Sequence, residues 1–371
     1  SITNPKFLGQ CPTGNPVYPS TGNKSQIEQD IVSDVLGYSR CYNSTAIEVD
    51  RVTGAKWRPR FYRSLAVIGG AEWKALLFRE NGRIVEFRLQ ASTWHPDADI
   101  PDRLTELKDG NGVRTGWQYT VASDDSLETY NATGKLLTIA DRTGRTQTLA
   151  YDLPVAGGGD NDPETLDIVT DDTGRKLAFT YDSQKRITSV IDPAGGVISY
   201  GYDANSNLTT VTYPDGRSKT YHYNEPAHTS GADLPHALTG ITDENGTRYG
   251  TYQYQADGKA ISTGHAGGAD LHTLNYGANS TTVTDPLGTA RTYNFTTILG
   301  VVKSTGQSQP GGAGCGASAS AMTYDANGNV ASRTAFNGNT ACYAYDMGRN
   351  LETARVEGLA PGKACPSNIA S

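Results

Sequence analysis

A tyrosine closes a short alternating run again and again along this chain, at a nearly fixed interval. LAFTYD, ISYGYD and KTYHYN end at Tyr181-Asp182, Tyr202-Asp203 and Tyr223-Asn224. GTYQYQ, HTLNYG, AMTYD and CYAYD end at Tyr254-Gln255, Tyr276-Gly277, Tyr324-Asp325 and Tyr345-Asp346. The steps 181→202, 202→223 and 324→345 are each 21 residues, and 254→276 is 22. Two steps of about 30 residues hold inserts: PVAGGGDNDPE ahead of Tyr181 and EPAHTSGADLPHA ahead of Tyr254. Such a period marks a repeat array, which grows by stacking similar units instead of building new cores. The 371 residues therefore give no direct count of domains.

Each unit contains two turns. One follows the tyrosine (YDANSN, YDANGN, YDMGRN), and the other falls mid-unit (DRTGR, DDTGR, DPAGG, YPDGR, DENGT, DPLGT, FNGN). Gly, Asn and Asp at these places supply the conformations that hairpin turns need. The residues between turns alternate. In KLAFTY, Leu177, Phe179 and Tyr181 share one face while Lys176, Ala178 and Thr180 share the other. The unit is thus two strands and two turns, and no segment shows a capped helical period. The expected fold is all-β: consecutive antiparallel hairpins of about 21 residues in a curved or spiralling sheet, with little helix. A lone hairpin is marginal, so neighbours must bury the tyrosine-bearing face, with Tyr181, Tyr202, Tyr223 and Tyr254 on one side of the sheet.

The boundaries read from the pattern are an irregular leader or cap over 1–50, divergent tryptophan-containing hairpins over 51–130, regular repeats over 131–358 and a tail over 359–371. A formal charge of −7 without long blocks of either sign argues against nucleic acid as the main partner. No run of about 18 apolar residues is present, so no membrane-spanning helix is expected. SITNPKFLGQ lacks the regions of a signal peptide, which leaves open whether one has been removed.

The segments GKLLTIADRTGRTQTLAYD, GRKLAFTYDSQKRITSVIDPAGG and YGYDANSNLTTVTYPDGRSKTYHYN resemble the RHS or YD-repeat family, from about residue 130 to 358. GNPVYPSTGNKSQIEQDI (14–31), with LGYSRCYNS after it, resembles the leader of secreted RHS proteins, and FRENGRIVEFRL and LKDGNGVRTGWQYT match more loosely. The resemblance implies a wall of hairpins of the kind that encloses a C-terminal toxin or acts in adhesion at cell surfaces. It also implies a secreted or cell-surface location. The autoprotease segment of many members, with its DPxGxxDPxG-like pattern, has no counterpart here. The chain reads as a fragment or a short member.

Candidate chemistry is sparse. His222, His228 and His236 could hold a metal or substrate, but no HExxH or carboxylate cluster accompanies them, and a solvated loop is favoured. His95, His265 and His272 have no such context. Asp160, Asp162, Glu164 and Asp167 could hold Ca²⁺, but their spacing is not that of a calcium loop, which favours an acidic turn. Asp141, Asp171, Asp192, Asp243 and Asp285 could act as paired carboxylates; their recurrence in register favours a role in turns, as for Asp182, Asp203, Asp325 and Asp346. Trp57, Trp73, Trp94 and Trp117 would serve as sugar platforms if exposed, and are favoured as core anchors. The N-x-S/T sequons at Asn43, Asn131, Asn207, Asn245, Asn279 and Asn294 are read mostly as products of Asn/Thr-rich strands and turns. No cofactor and no metal are expected.

Five cysteines give an odd count. An extracellular setting favours disulfides, with buried free thiols as the alternative. Separations of 23 and 30 residues, about one repeat, suggest Cys342–Cys365 and Cys11–Cys41, leaving Cys315 unpaired.

These features point to a non-enzymatic extracellular scaffold. The alternatives are a wall segment of a toxin shell and a glycan or cell-surface binding module; an enzyme has least support. The expected partners are a second copy or the rest of a longer chain with its cargo. The strand–turn–strand CYAYDMGRNLETARV has no evident cover, so its edge could add a strand from another chain, head to tail.

Overall fold

The computed structural model describes residues 15–46, 51–70, 72–98, 100–151, 153, 162, 164–312, 314 and 316–369. Strands dominate. Two three-residue 3-10 turns, Pro226–His228 and Ala266–Gly268, are the helical elements among the described residues. The chain divides into two compact units. One comprises Lys24–Pro96 and Asp102–Gly258, and the other Ser1–Asn23, Asp97–Pro101 and Lys259–Ser371.

In the first unit the strands from Arg103–Lys108 to Arg248–Tyr254 follow one another as an antiparallel meander. In five successive pairings the register is interrupted at the tyrosine: between Thr129 and Tyr130, Ala150 and Tyr151, Thr180 and Tyr181, Gly201 and Tyr202, and His222 and Tyr223; further shifts fall between Arg114 and Gly116 and between Ile241 and Thr242. The extra residue of each bulge breaks strict alternation. It accounts for the L-x-x-V spacing of the partner strands, in which Ile187 and Val190, Leu208 and Val211, and Leu238 and Ile241 are all buried. On the tyrosine-bearing strands, Leu177 and Phe179 are buried together, as are Ile198 and Tyr200. The fold is all-β, in consecutive hairpins of the expected kind.

The leader departs from expectation. Two of its segments, Asn23–Ile31 and Tyr38–Asn43, are regular antiparallel strands, and the second pairs in turn with Trp57–Pro59, just past the expected boundary and part of the same leader sheet. The first of them is inverted in polarity: Lys24, Gln26 and Glu28 are buried, while Ile27 is 67% exposed. A polar alternation of this kind reads as surface, which is why the segment looked irregular. After it, Ser64–Ile68, Lys74–Phe78, Ile84–Gln90 and Thr93–Pro96 form a four-stranded sheet.

The second unit continues with consecutive strands from Ala260–His265 to Ser318–Ala319, and ends in a four-stranded sheet of Ala321–Tyr324, Val330–Thr334, Thr340–Asp346 and Leu351–Leu359. Cys342 and Cys365 form a disulfide with their Cα atoms 5.8 Å apart. Cys41 is a free, buried thiol rather than half of a bridge; Cys11, its expected partner, and Cys315 lie outside the described residues.

Candidate functional site: the tyrosine face and the leader laid on it

The residues that recur in the sequence are consumed by the backbone. Tyr151, Tyr181, Tyr202 and Tyr223 each donate their hydroxyl to the carbonyl 15 residues earlier, at Leu136, Leu166, Ile187 and Leu208, over 2.9, 2.6, 2.7 and 2.9 Å. Tyr254 does so to Leu238, 16 residues earlier, at 2.8 Å, and Tyr276 to Ala260. Every acceptor is the first residue of its strand and is almost fully buried. Each hairpin is thereby latched to the one before it. In the terminal sheet the geometry differs: Tyr324 reaches Ser304 O, 20 residues back.

The aspartates organise turns. Asp182 Oδ1 accepts the N–H groups of Gln184 and Arg186, and its Oδ2 accepts Arg186 Nε. Asp141, Asp171, Asp192, Asp243, Asp285 and Asp325 likewise accept the N–H groups two and four residues on. Asp203 accepts from Asn207 N and Nδ2, and Asp346 from Gly348 and Arg349. A carboxylate spent on backbone donors and a neighbouring guanidinium stays ionised and is a poor general acid. For Asp182, burial would raise its pKa, but the bonds from Arg186 and Gln184 outweigh it and hold the carboxyl below its ordinary range.

The leader strands lie on the buried face of these hairpins. Asp30 takes a two-pronged salt bridge from Arg40 (2.6 and 2.8 Å) and the hydroxyl of Tyr200 (2.8 Å). Both charged side chains of that bridge are fully buried. Arg40 also donates to Tyr221 Oη at 3.1 Å and stacks over the rings of Trp57, Tyr200 and Tyr221. Glu28 accepts from Lys219 at 2.9 Å, Gln26 accepts from Tyr252, and Lys24 sits 4.1 Å above the Tyr252 ring. From Asp30 back to Lys24 the strand therefore crosses successive repeats. Tyr42 Oη donates to His236 O and accepts from Leu238 N, and Trp57 Nε1 donates to Tyr223 Oη. Val52 O accepts from Ile187 N and Ser206 O from Ala55 N, at 2.7 and 2.8 Å.

A second buried cluster anchors the following hairpins. Glu128 accepts from Arg63, from both terminal nitrogens of Arg79 and from Tyr130. Burial alone would raise the Glu128 pKa; the two guanidinium groups outweigh it and hold the carboxyl below its usual range. Burial also pushes the Cys41 thiol up to about 11, which leaves it inert as a nucleophile at neutral pH.

The other candidates disperse. His222 Nε2 meets Thr242 Oγ1 and His236 Nδ1 meets Asn207 Oδ1, each at 2.8 Å, while His228 ends a 3-10 turn. No metal-holding group occurs among the described residues. Lys185 takes both Asp162 and Glu164, at 2.9 and 2.6 Å, and Asp167 accepts Leu153 N; Asp160 lies outside the described residues. Trp57, Trp94 and Trp117 are buried, whereas Trp73 is 51% exposed. Of the sequon residues, Asn207 and Asn43 are buried.

Latch, turn and lining, repeated on consecutive hairpins, define a β-hairpin repeat scaffold. The RHS Repeat family matches residues 168–197, 181–218 and 202–225, and a domain of unknown function, DUF6531, matches 14–87. Residues 168–225 of the chain are thus matched as RHS repeats. No curated protein matches it. Among solved structures, a Tc holotoxin pore from Photorhabdus luminescens is 13% identical with a TM-score of 0.34, over 92% of this chain and 18% of that one. A TcdB2-TccC3-TEV structure is 12% identical with a TM-score of 0.37, over 94% and 22%. The chain thus spans about a fifth of the length of these structures.

Proposed function

We propose that this chain is a non-enzymatic wall element, secreted or displayed at a cell surface, whose work is to hold a continuous β surface. The observation that carries this reading is the use of the recurrent Tyr and Asp side chains as latches and turns. Repetition has multiplied structural bonds, not a reacting group. The partners that fit such a wall are further RHS hairpins, in the same longer chain or in a second copy that adds to an exposed strand such as Leu351–Leu359. Enclosure of a toxin cargo is the variant of this reading that the RHS repeats suggest. Light scattering together with electron microscopy of the native material tests it. An assembled shell or filament, or a longer chain continuing the sheet, is the expected result; a strictly monomeric species at high concentration that turns over a substrate would refute it.

A second reading, glycan binding, is favoured by one observation, the half-exposed Trp73. An indole face in water is a platform for a sugar ring. A glycan array comparing the wild type with Trp73→Ala tests it, with binding lost in the variant as the supporting result.

A further inference from the structure

The terminal sheet lacks the kind of core that supports the repeats. Across its four strands, Ala321–Tyr324, Val330–Thr334, Thr340–Asp346 and Leu351–Leu359, Cys342 is the single buried strand residue among the described residues. In the repeats, by contrast, strands such as Leu208–Thr212 and Val197–Tyr202 each bury two. Cys342 has no exposed surface, and its sulfur is bonded to Cys365 in the segment after the last strand. That segment packs closely near the bridge: a Cβ placed on Gly338 would lie 3.0 Å from Pro361 Cγ. Within it, Lys363 N donates to Ala360 O. Cys365 itself is exposed, so a thiolate from solvent can reach the bridge.

We propose that the Cys342–Cys365 disulfide is a redox-sensitive lock on the terminal sheet, which is held in its folded form under oxidising conditions and opens on reduction. The reductant is a dithiol. Its thiolate attacks the Cys365 sulfur, the S–S bond breaks and the Cys342 thiolate leaves. The second thiol of the reductant then closes to its own disulfide and releases Cys365, so that two electrons and two protons end on the two cysteines. With the bridge open, the segment after Leu359 loses its covalent tie to the sheet, and the buried Cys342 position loses its covalent cover. A sheet with so little buried apolar surface opens locally at little cost. The inference rests on this sheet alone and stands apart from the wall reading.

Limited trypsin digestion of the whole chain tests it, with peptides counted by mass spectrometry with and without dithiothreitol. Arg333, in the doubly paired strand Val330–Thr334, reports on the terminal sheet. Lys219, in Ser218–Tyr223, serves as the control. Cleavage after Arg333 rises about tenfold or more on reduction while cleavage after Lys219 changes less than about twofold, as local opening requires. The Cys365→Ser variant, never reduced, behaves as the reduced wild type. The proposal is overturned if cleavage after Arg333 is unchanged, if both sites accelerate equally, or if dithiothreitol acts and Cys365→Ser does not.

Discussion

Tyr202 and Tyr223 stand at the same repeat position and carry different loads. Tyr202→Phe removes one donor to Ile187 O and costs about 1 kcal/mol, the net worth of an ordinary hydrogen bond. Tyr223→Phe also strands the buried Trp57 Nε1, which donates to its hydroxyl at 2.8 Å, and costs about 1–3 kcal/mol because an orphaned donor pays its full desolvation. Urea midpoints of the two variants, with Tyr202→Phe the milder, check the ordering. Arg40→Ala leaves the buried Asp30 carboxyl without its guanidinium partner and costs about 3–5 kcal/mol; replacing both partners with apolar residues restores most of it. Equal losses in the single and double variants would contradict this. The sequence announced the tyrosines and aspartates because their role repeats. It concealed Asp30 and Arg40, because a charge in NKSQIEQDI or GYSRCYN carries no mark of burial; only the rings of Tyr200, Tyr221 and Trp57 around it show where it lies.

At the level of the element, the hairpin was legible down to its turns, since Asp, Asn and Gly declare positive-φ and side-chain-capped corners. The bulge at each tyrosine was less so. It showed only as the L-x-x-V spacing, and the acceptor at each strand start could have been found by asking which apolar residue precedes each tyrosine by 15. The leader strand was missed because its polarity is turned inward. Its neighbour cluster predicts a pH effect. Glu128 has its pKa depressed in the folded state, so its stabilisation is complete above the ordinary glutamate value of about 4.3 and fades as pH falls below it toward the depressed value. Urea midpoints at decreasing pH are expected to drop in that window, and Glu128→Gln, already destabilised by two unmatched arginines, is expected to drop less. A parallel decline in both would show that other carboxylates carry the effect.

For the molecule as a whole, the central claim is that the leader is part of the core of the wall. Asp30, Arg40, Tyr42 and Trp57 bond to side chains or backbone of the repeats Val197–Tyr202 through Leu238–Thr242, so neither face is complete alone. A repeat sheet stripped of its leader would present a row of buried phenols to water, and such a surface invites association. Composition suggested only that the sheet must be covered; it did not say that residues before it in the chain do the covering. The direct measurement is hydrogen exchange, resolved by peptide, as urea is raised. Amides of Tyr38–Asn43 and of Val197–Tyr202 and Ser218–Tyr223 are expected to converge on one opening free energy and one urea dependence, as a single cooperative unit requires. Exchange of the leader strand at low urea while the repeat strands keep their full protection would contradict the account.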